Sequence, residues 1–309
     1  MLSVIKPGIF TTVQDAGRFG FQQYGVIVSG TMDQVAFRIG NALLNQRNKA
    51  ALEMTLIGGV FQFTKQTTIV LTGGQMYAKL NNMPIPMYQA VPVKEGDLLN
   101  CGAIQNGIRS YLCIAGGFFV EEVLNSRSTY LRAKIGGYHG RRLQAGDCIC
   151  YEDSLSNRTT FQYDASTFYT KEPIRIIKGT EWHQFSLEQQ SAFLQQRFTI
   201  SIESDRMGYR LQGQQPISIK TPFQILSEAV TFGTVQLPPS GEPIVLMADR
   251  QTTGGYPKIA QVITADLHRL AQLGPEQTVQ FKLVTIEQAE ETYFQLEQQL
   301  RLLELLISN

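Results

Sequence analysis

The feature that most constrains this sequence is its punctuation by paired glycines. Gly-Gly occurs at 58–59, 73–74, 116–117, 136–137 and 254–255, and four of these pairs lie between short β-prone runs such as 51–57 and 60–63, or 67–71 and 76–80. Glycine reaches positive φ at little steric cost, so such pairs mark hairpin turns or bulges. Asn81-Asn82, Lys94-Glu95-Gly96-Asp97 and Gln144-Ala145-Gly146-Asp147 are further turn signals beside short apolar runs. Many short strands at this spacing predict a mainly β protein built from barrels or sandwiches rather than a doubly wound sheet. A chain of 309 residues exceeds one ordinary core, so two domains are expected. The polar, aperiodic segment 153–170 places the boundary between 1–160 and 161–309.

Helices are few. Thr31-Met32-Asp33-Gln34 fits a capping box, and Val35, Ile39, Ala42 and Leu43 follow at helical spacing. Ser186-Leu187-Glu188-Gln189 starts a glutamine-rich helix reaching about Arg197. Pro257 stands where a first helical residue belongs, followed by Ile259, Val262, Ile263, Leu267 and Leu270. The last helix is expected from about Ile286 to Ile307, with a stripe of Ile286, Ala289, Tyr293, Leu296, Leu300, Leu303 and Ile307. That stripe either packs on the chain's own barrel or meets a partner subunit or a second copy of the chain.

Composition narrows the function classes. Lys and Arg number 27 against 26 Asp and Glu, without a basic stripe, which argues against nucleic acid and anionic membrane surfaces as partners. No apolar run approaches the length of a membrane span, and Lys6-Pro7 interrupts any signal-peptide core. The cysteines at 101, 113, 148 and 150 form no Cys-x-x-Cys and read as reduced, buried thiols of a cytoplasmic protein. In that setting the sequon Asn157-Arg158-Thr159 carries no meaning.

An internal similarity organises the rest. Thr12-Val13-Gln14 is followed by Ser29-Gly30-Thr31 and an expected helix, and Thr234-Val235-Gln236 by Gly254-Gly255 and another. The parallel is either chance between two β-rich halves or a pseudo-symmetric pair of domains with a cleft between matching loops.

Three polar loops carry the candidate chemistry. Gln14-Asp15-Ala16-Gly17-Arg18-Phe19-Gly20 combines glycines with an arginine fork suited to a carboxylate or phosphate; the alternative is a turn held by an Asp15–Arg18 ion pair. Ala248-Asp249-Arg250-Gln251-Thr252-Thr253-Gly254-Gly255-Tyr256-Pro257 leads into the expected helix, whose N-terminus would favour an anion; the alternative is capping by Thr252 or Thr253. Glu203-Ser204-Asp205-Arg206-Met207-Gly208-Tyr209-Arg210 either completes a charged cleft or is a solvated loop. The sequence holds no phosphate-binding Gly-x₄-Gly-Lys-Ser/Thr, no dinucleotide fingerprint and no Gly-x-Ser-x-Gly elbow. His139, His183 and His268 are too scattered for a local zinc motif, so no metal is expected. A carboxylate general base is favoured over a serine or cysteine triad.

These loops, with Ser29-Gly30-Thr31-Met32-Asp33 and Leu52-Glu53-Met54-Thr55, resemble one family from about Met1 to Phe281. It contains the C subunit of bacterial 5-oxoprolinase and is also described as the biotin-dependent carboxyltransferase or allophanate-hydrolase-subunit-2 family. The resemblance implies two cyclophilin-like β-barrel halves with the site between them; the C-terminal amphipathic helix read from periodicity lies outside the match. It also implies partner subunits B and A, which with this chain would open 5-oxoproline to L-glutamate at the expense of ATP. On that reading Arg18 and Arg206 hold a carboxylate or phosphoryl oxygens, with Asp205 beside them. Asp15 and Asp249 orient water or take its proton, and Gln251, Thr252, Thr253, Gly254, Gly255 and Tyr256 face the substrate. Replacing Arg18 or Asp249 is expected to remove activity and leave stability nearly unchanged.

Two other roles are open to the family: carboxyl transfer from biotin to urea or a similar amide, and non-catalytic antagonism of a kinase inhibitor. No Met-Lys-Met occurs here, so biotin would arrive on another protein. Two positions depart from the family pattern: Ala229 and Glu276 stand where glycine is usual. Neither departure is expected to touch the charged loops, but Ala229 is expected to be able to alter a strand near the cleft.

Overall fold

The computed structural model describes residues 1–151, 161–218 and 225–308. The sequon at 157–159 and the boundary after residue 160 lie outside the described residues. The chain divides into two compact units. One comprises Met1–Phe19, Ser29–Tyr169 and Gln298–Asn309, and the other Gly20–Val28 and Thr170–Glu297. Both are mainly β.

Among the described residues of the first unit, a seven-stranded sheet runs in the order Phe118–Phe119, Cys148–Tyr151, Leu2–Lys6, Val60–Phe63, Leu98–Asn100, Lys79–Leu80, Met83–Pro84. A five-stranded sheet runs Phe10–Gln14, Ala51–Thr55, Ile104–Ile114, Thr67–Met76, Val91–Val93. Alternation along the strands explains how they close on one core. Phe61 and Phe63 are buried on either side of exposed Gln62, and they share a cluster with Leu2, Val4, Leu52, Leu71 and Leu112 drawn from both sheets. The turn signals fall where the glycines and asparagines predict. Asn81 and Asn82, at φ +50° and +68°, close the hairpin of Lys79–Leu80 on Met83–Pro84. Gly73-Gly74 lies within a strand, facing a shift in register opposite Asn106–Ser110.

Helix α1, Gln34–Leu43, buries Val35, Ile39, Ala42 and Leu43 as its spacing predicts. Its cap differs from expectation: Asp33, not Thr31, accepts from Ala36 N at 2.8 Å. Strand alternation corrects the cysteine expectation. Cys101 and Cys113 are buried, but Cys148 and Cys150 are exposed, because Ile149 and Tyr151 take the inward positions of that strand.

The second unit is an eight-stranded sheet among its described residues, ordered Thr278–Val279, Phe198–Ile200, Gly208–Gln212, Ile244–Leu246, Thr234–Gln236, Lys258–Val262, Ile174–Lys178, Phe281–Leu283. A short pair joins Glu228–Ala229 to Thr253–Gly254. Helix α2, Leu187–Gln195, starts on the expected capping box of Ser186 and Gln189 and sets Phe193 against Phe281, ring centroids 5.1 Å apart.

The helix expected from Pro257 is absent. Lys258–Val262 is a strand in the middle of the sheet, and helix α3 covers only Leu267–Ala271. A central strand buried on both faces has no period of two, so Ile259, Val262 and Ile263 imitate helical spacing by chance. The internal parallel therefore holds for Thr12–Gln14 and Thr234–Gln236, both buried strand residues, and for the loop and helix after the first. It fails after the second.

Helix α4, Ile286–Ser308, closes the chain. Leu300 and Leu303 are buried at 2% and 1% exposure, and Glu304 pairs with Arg47 at 2.5 Å, so this part of the stripe packs on the chain itself. No helix among the described residues is long and apolar enough to cross a membrane.

Candidate functional site

In the first unit the chain leaves the strand Phe10–Gln14 through Asp15. Its carboxylate accepts from Gly17 N at 2.9 Å and the Ser126 hydroxyl at 2.8 Å, and also from Arg127 N and the Ser128 hydroxyl. Arg18 is fully buried, with Nε donating to Val123 O and Nη2 to Ser128 O, each at 2.9 Å. Both signature charges are thus anchored on the segment 123–129. The Ser29–Asp33 loop joins them: Thr31 N donates to Asp15 O at 3.0 Å, and Ser29 Oγ to Thr129 O at 3.0 Å. Gly30 permits the contact. At φ +90°, a Cβ there would lie 2.9 Å from Ala16 O.

Behind this loop lies an acidic chain whose role the sequence did not reveal. Asp33 and Glu53 are both fully buried. Tyr111 Oη donates to Glu53 Oε2 at 2.7 Å and accepts from Asp33 N at 2.8 Å, while Met32 N donates to Glu53 at 2.9 Å. Burial, reinforced by the Glu53 and Asp33 charges, pushes the Tyr111 hydroxyl well above its ordinary pKa, so it stays a donor. Tyr169 Oη adds a bond to Asp33 Oδ2 at 2.8 Å. The signal was available: a glutamate inside the apolar strand Ala51–Thr55 must be paired.

In the second unit Arg206 and Asp249 form a bidentate pair, Nε–Oδ2 and Nη2–Oδ1 both 2.9 Å, with side chains 8% and 7% exposed. Asp249 N also donates to Arg206 O at 2.7 Å. Asp205, adjacent in sequence, points elsewhere: it is exposed and caps its own turn through Met207 N at 2.8 Å. The structure thus brings Arg206 and Asp249 together and leaves Asp205 apart.

The loop Gln251–Tyr256 is shaped by strand pairing rather than by a helix N-terminus, so the dipole argument for an anion lapses. Thr253 pairs with Ala229 and Gly254 with Glu228, and Val230 N donates to Thr252 O at 3.1 Å. Ala229 therefore does touch this loop. At Gly254 a Cβ would fall 2.4 Å from Gln236 Nε2, and that amide donates to Tyr256 O at 3.3 Å. Thr253, Gly255 and Tyr256 are exposed.

Below the loop, buried Lys258 was not singled out by sequence. Its ammonium lies 2.7 Å from Glu228 Oε2 and 3.4 Å from Glu181 Oε2. Burial alone would lower its pKa. The hydrogen bond to Glu228 and the charge of Glu181 outweigh burial and raise it, so the group is a fixed cation. Sequence could not show this, because Glu181, Glu228 and Lys258 meet only through the sheet.

A strand-built loop, fixed carboxylates and exposed hydroxyl and backbone groups are the equipment for binding a small polar substrate. The family described as carboxyltransferase domain, subdomain A and B, matches residues 24–283, and the chain belongs to that family. It is 40% identical over 290 residues to the 5-oxoprolinase C subunit of Haemophilus influenzae and equally to that of Escherichia coli, covering 94% of this chain and 93% of each relative. Among solved structures, Kluyveromyces lactis urea carboxylase superposes on 98% of the chain with a TM-score of 0.87 at 28% identity, this chain spanning 29% of that protein.

Proposed function

We propose that this chain is the C subunit of an ATP-dependent 5-oxoprolinase and that, with subunits A and B, it opens 5-oxoproline to L-glutamate in the cytoplasm. The observation that supports this reading is end-to-end similarity, at 40% identity, to two bacterial 5-oxoprolinase C subunits. A lactam amide is resonance-stabilised and resists water. ATP supplies the activation in the assembled enzyme by making the amide oxygen a leaving group. The exposed Thr253 hydroxyl and the neighbouring backbone N–H groups of Gln251–Tyr256 stabilise developing negative charge. Asp249, oriented by Arg206, positions the attacking water.

The test is reconstitution with subunits A and B, with 5-oxoproline and urea supplied in parallel. ATP-dependent glutamate formation that requires this chain is the expected result. Full activity without the chain would sink the proposal. The likeness to urea carboxylase supports a second reading, carboxyl transfer from a biotin carried by another protein to urea. Bicarbonate-dependent urea consumption in the parallel arm, with a biotinylated carrier protein added, would establish it instead.

A further inference from the structure

Four arginines lie in the signature loops, and they differ in what already engages them; Arg210 is exposed, with Nε 3.8 Å from Glu203 Oε2. Arg18 donates to two backbone carbonyls in the interior of the first unit. Arg206 is taken by Asp249 in a bidentate pair. Arg250 is the exception. Its Nε is sealed from solvent with no acceptor, and Nη1 has one contact, 3.4 Å from Met247 O, at the limit of a hydrogen bond. No carboxylate among the described residues pairs with it, and its neighbour Asp249 turns both oxygens to Arg206. The guanidinium lies over the Phe232 ring, 5.9 Å from the centroid.

A guanidinium in that position is an unsolved electrostatic problem within the chain. Burial pulls its pKa down to about 10, with the Asp249 charge opposing the shift. Arg250 is half-buried, with Nε the atom sealed from solvent, and a partly desolvated cation without an anion is costly in proportion, a partner being the usual remedy. The fork of donors matches a carboxylate or phosphoryl oxygens in shape as well as charge. Arg250 also opens the loop that carries exposed Thr253, Gly255 and Tyr256.

The geometry points to Arg250 as the residue that binds the ligand's oxyanion, a carboxylate or a phosphoryl group, in place of Arg18 and Arg206. Its application to 5-oxoproline, which carries a carboxylate, rests on the function proposed above. The competing role is purely structural, a cation held by Phe232.

Calorimetric titration of the full chain with 5-oxoproline, inorganic phosphate and 2-pyrrolidone separates these roles, using wild type, Arg250→Met and Arg250→Lys. At least one anion should bind wild type, and bind Arg250→Met about 10- to 100-fold more weakly, the loss of a hydrogen bond to a charged group. Arg250→Lys should recover part of that loss, and 2-pyrrolidone, which lacks the carboxylate, should bind all three alike. Because no ion pair is broken, Arg250→Met should melt at or above the wild-type temperature; a structural cation predicts a lower one. A loss confined to 5-oxoproline identifies a carboxylate site, and one confined to phosphate a phosphoryl site. The proposal is overturned if neither anion binds wild type, or if both bind Arg250→Met as tightly. The two readings fail separately. Phosphate binding that depends on Arg250, in an assembled complex that does not open 5-oxoproline, sinks the proposed reaction alone. Wild-type KM in a complex carrying Arg250→Met sinks the anion site alone.

Discussion

Replacing Asp249 or Arg206 should be a large stability perturbation, which for Asp249 reverses the expectation from sequence, because the carboxylate is buried in a bidentate pair. The two side chains are 7% and 8% exposed and share two 2.9 Å bonds. Removing one partner leaves a buried charge uncompensated, at about 3–5 kcal/mol. Replacing both by apolar residues of similar volume removes that penalty and is expected to be nearly neutral. The molecule has one tryptophan, Trp182, buried in the same unit, so urea titration followed by its fluorescence reports this region. With a slope near ~2 kcal/mol/M for a unit of this size, Asp249→Leu and Arg206→Met should each lower the midpoint by about 2 M. The double variant should recover most of the shift. Single-variant shifts below ~0.3 M, or a double variant as unstable as the sum of the singles, would refute the reasoning. Activity of the double variant in the assembled enzyme then isolates the catalytic share from the structural one, which single substitutions confound.

Glu276 holds φ +66° in an exposed turn where Gln277 N bonds to Gly274 O at 3.2 Å after Pro275. A left-handed non-glycine residue costs roughly 1–2 kcal/mol, partly offset by glycine's freedom in the unfolded chain, so Glu276→Gly should gain about 0.5–1 kcal/mol in thermal unfolding. In α4, Leu300→Ala should cost about 2–5 kcal/mol, whereas Leu306→Ala, at a position 71% exposed, should stay within ~0.5 kcal/mol in the same assay. Burial alone would raise the pKa of fully buried Asp266, but hydrogen bonds from Arg175 at 2.6 and 3.0 Å and the charge of Arg269 depress it. A depressed carboxylate stabilises the fold above its unfolded pKa of about 3.9 and loses that contribution as pH falls through the folded value. Stability should therefore drop below about pH 4, and Asp266→Asn should flatten this acid limb in pH-dependent denaturation.

The chain's local grammar was legible without a structure. The turns at Asn81-Asn82 and Gly116-Gly117, the β-rich character, α1, α2 and the extent of α4 follow from backbone preferences and periodicity, which act over a few residues. The signature loops were found as well, since charges and glycines crowded together are visible in one dimension. What failed were statements that depend on which surfaces meet. Lys258–Val262 has the spacing of a helix, and only its place between two other strands, burying both faces, made it a strand. Arg18, Arg206 and Arg250 are indistinguishable as letters. Tertiary packing gave the first backbone carbonyls and the second a carboxylate, and left the third with its Nε unaccepted. Glu53 with Tyr111, and Lys258 with Glu228 and Glu181, pair residues between 30 and 77 positions apart. A charge's partner is decided by what the folded sheets bring within about 3 Å while excluding water, and short-range sequence pattern carries no record of that distance.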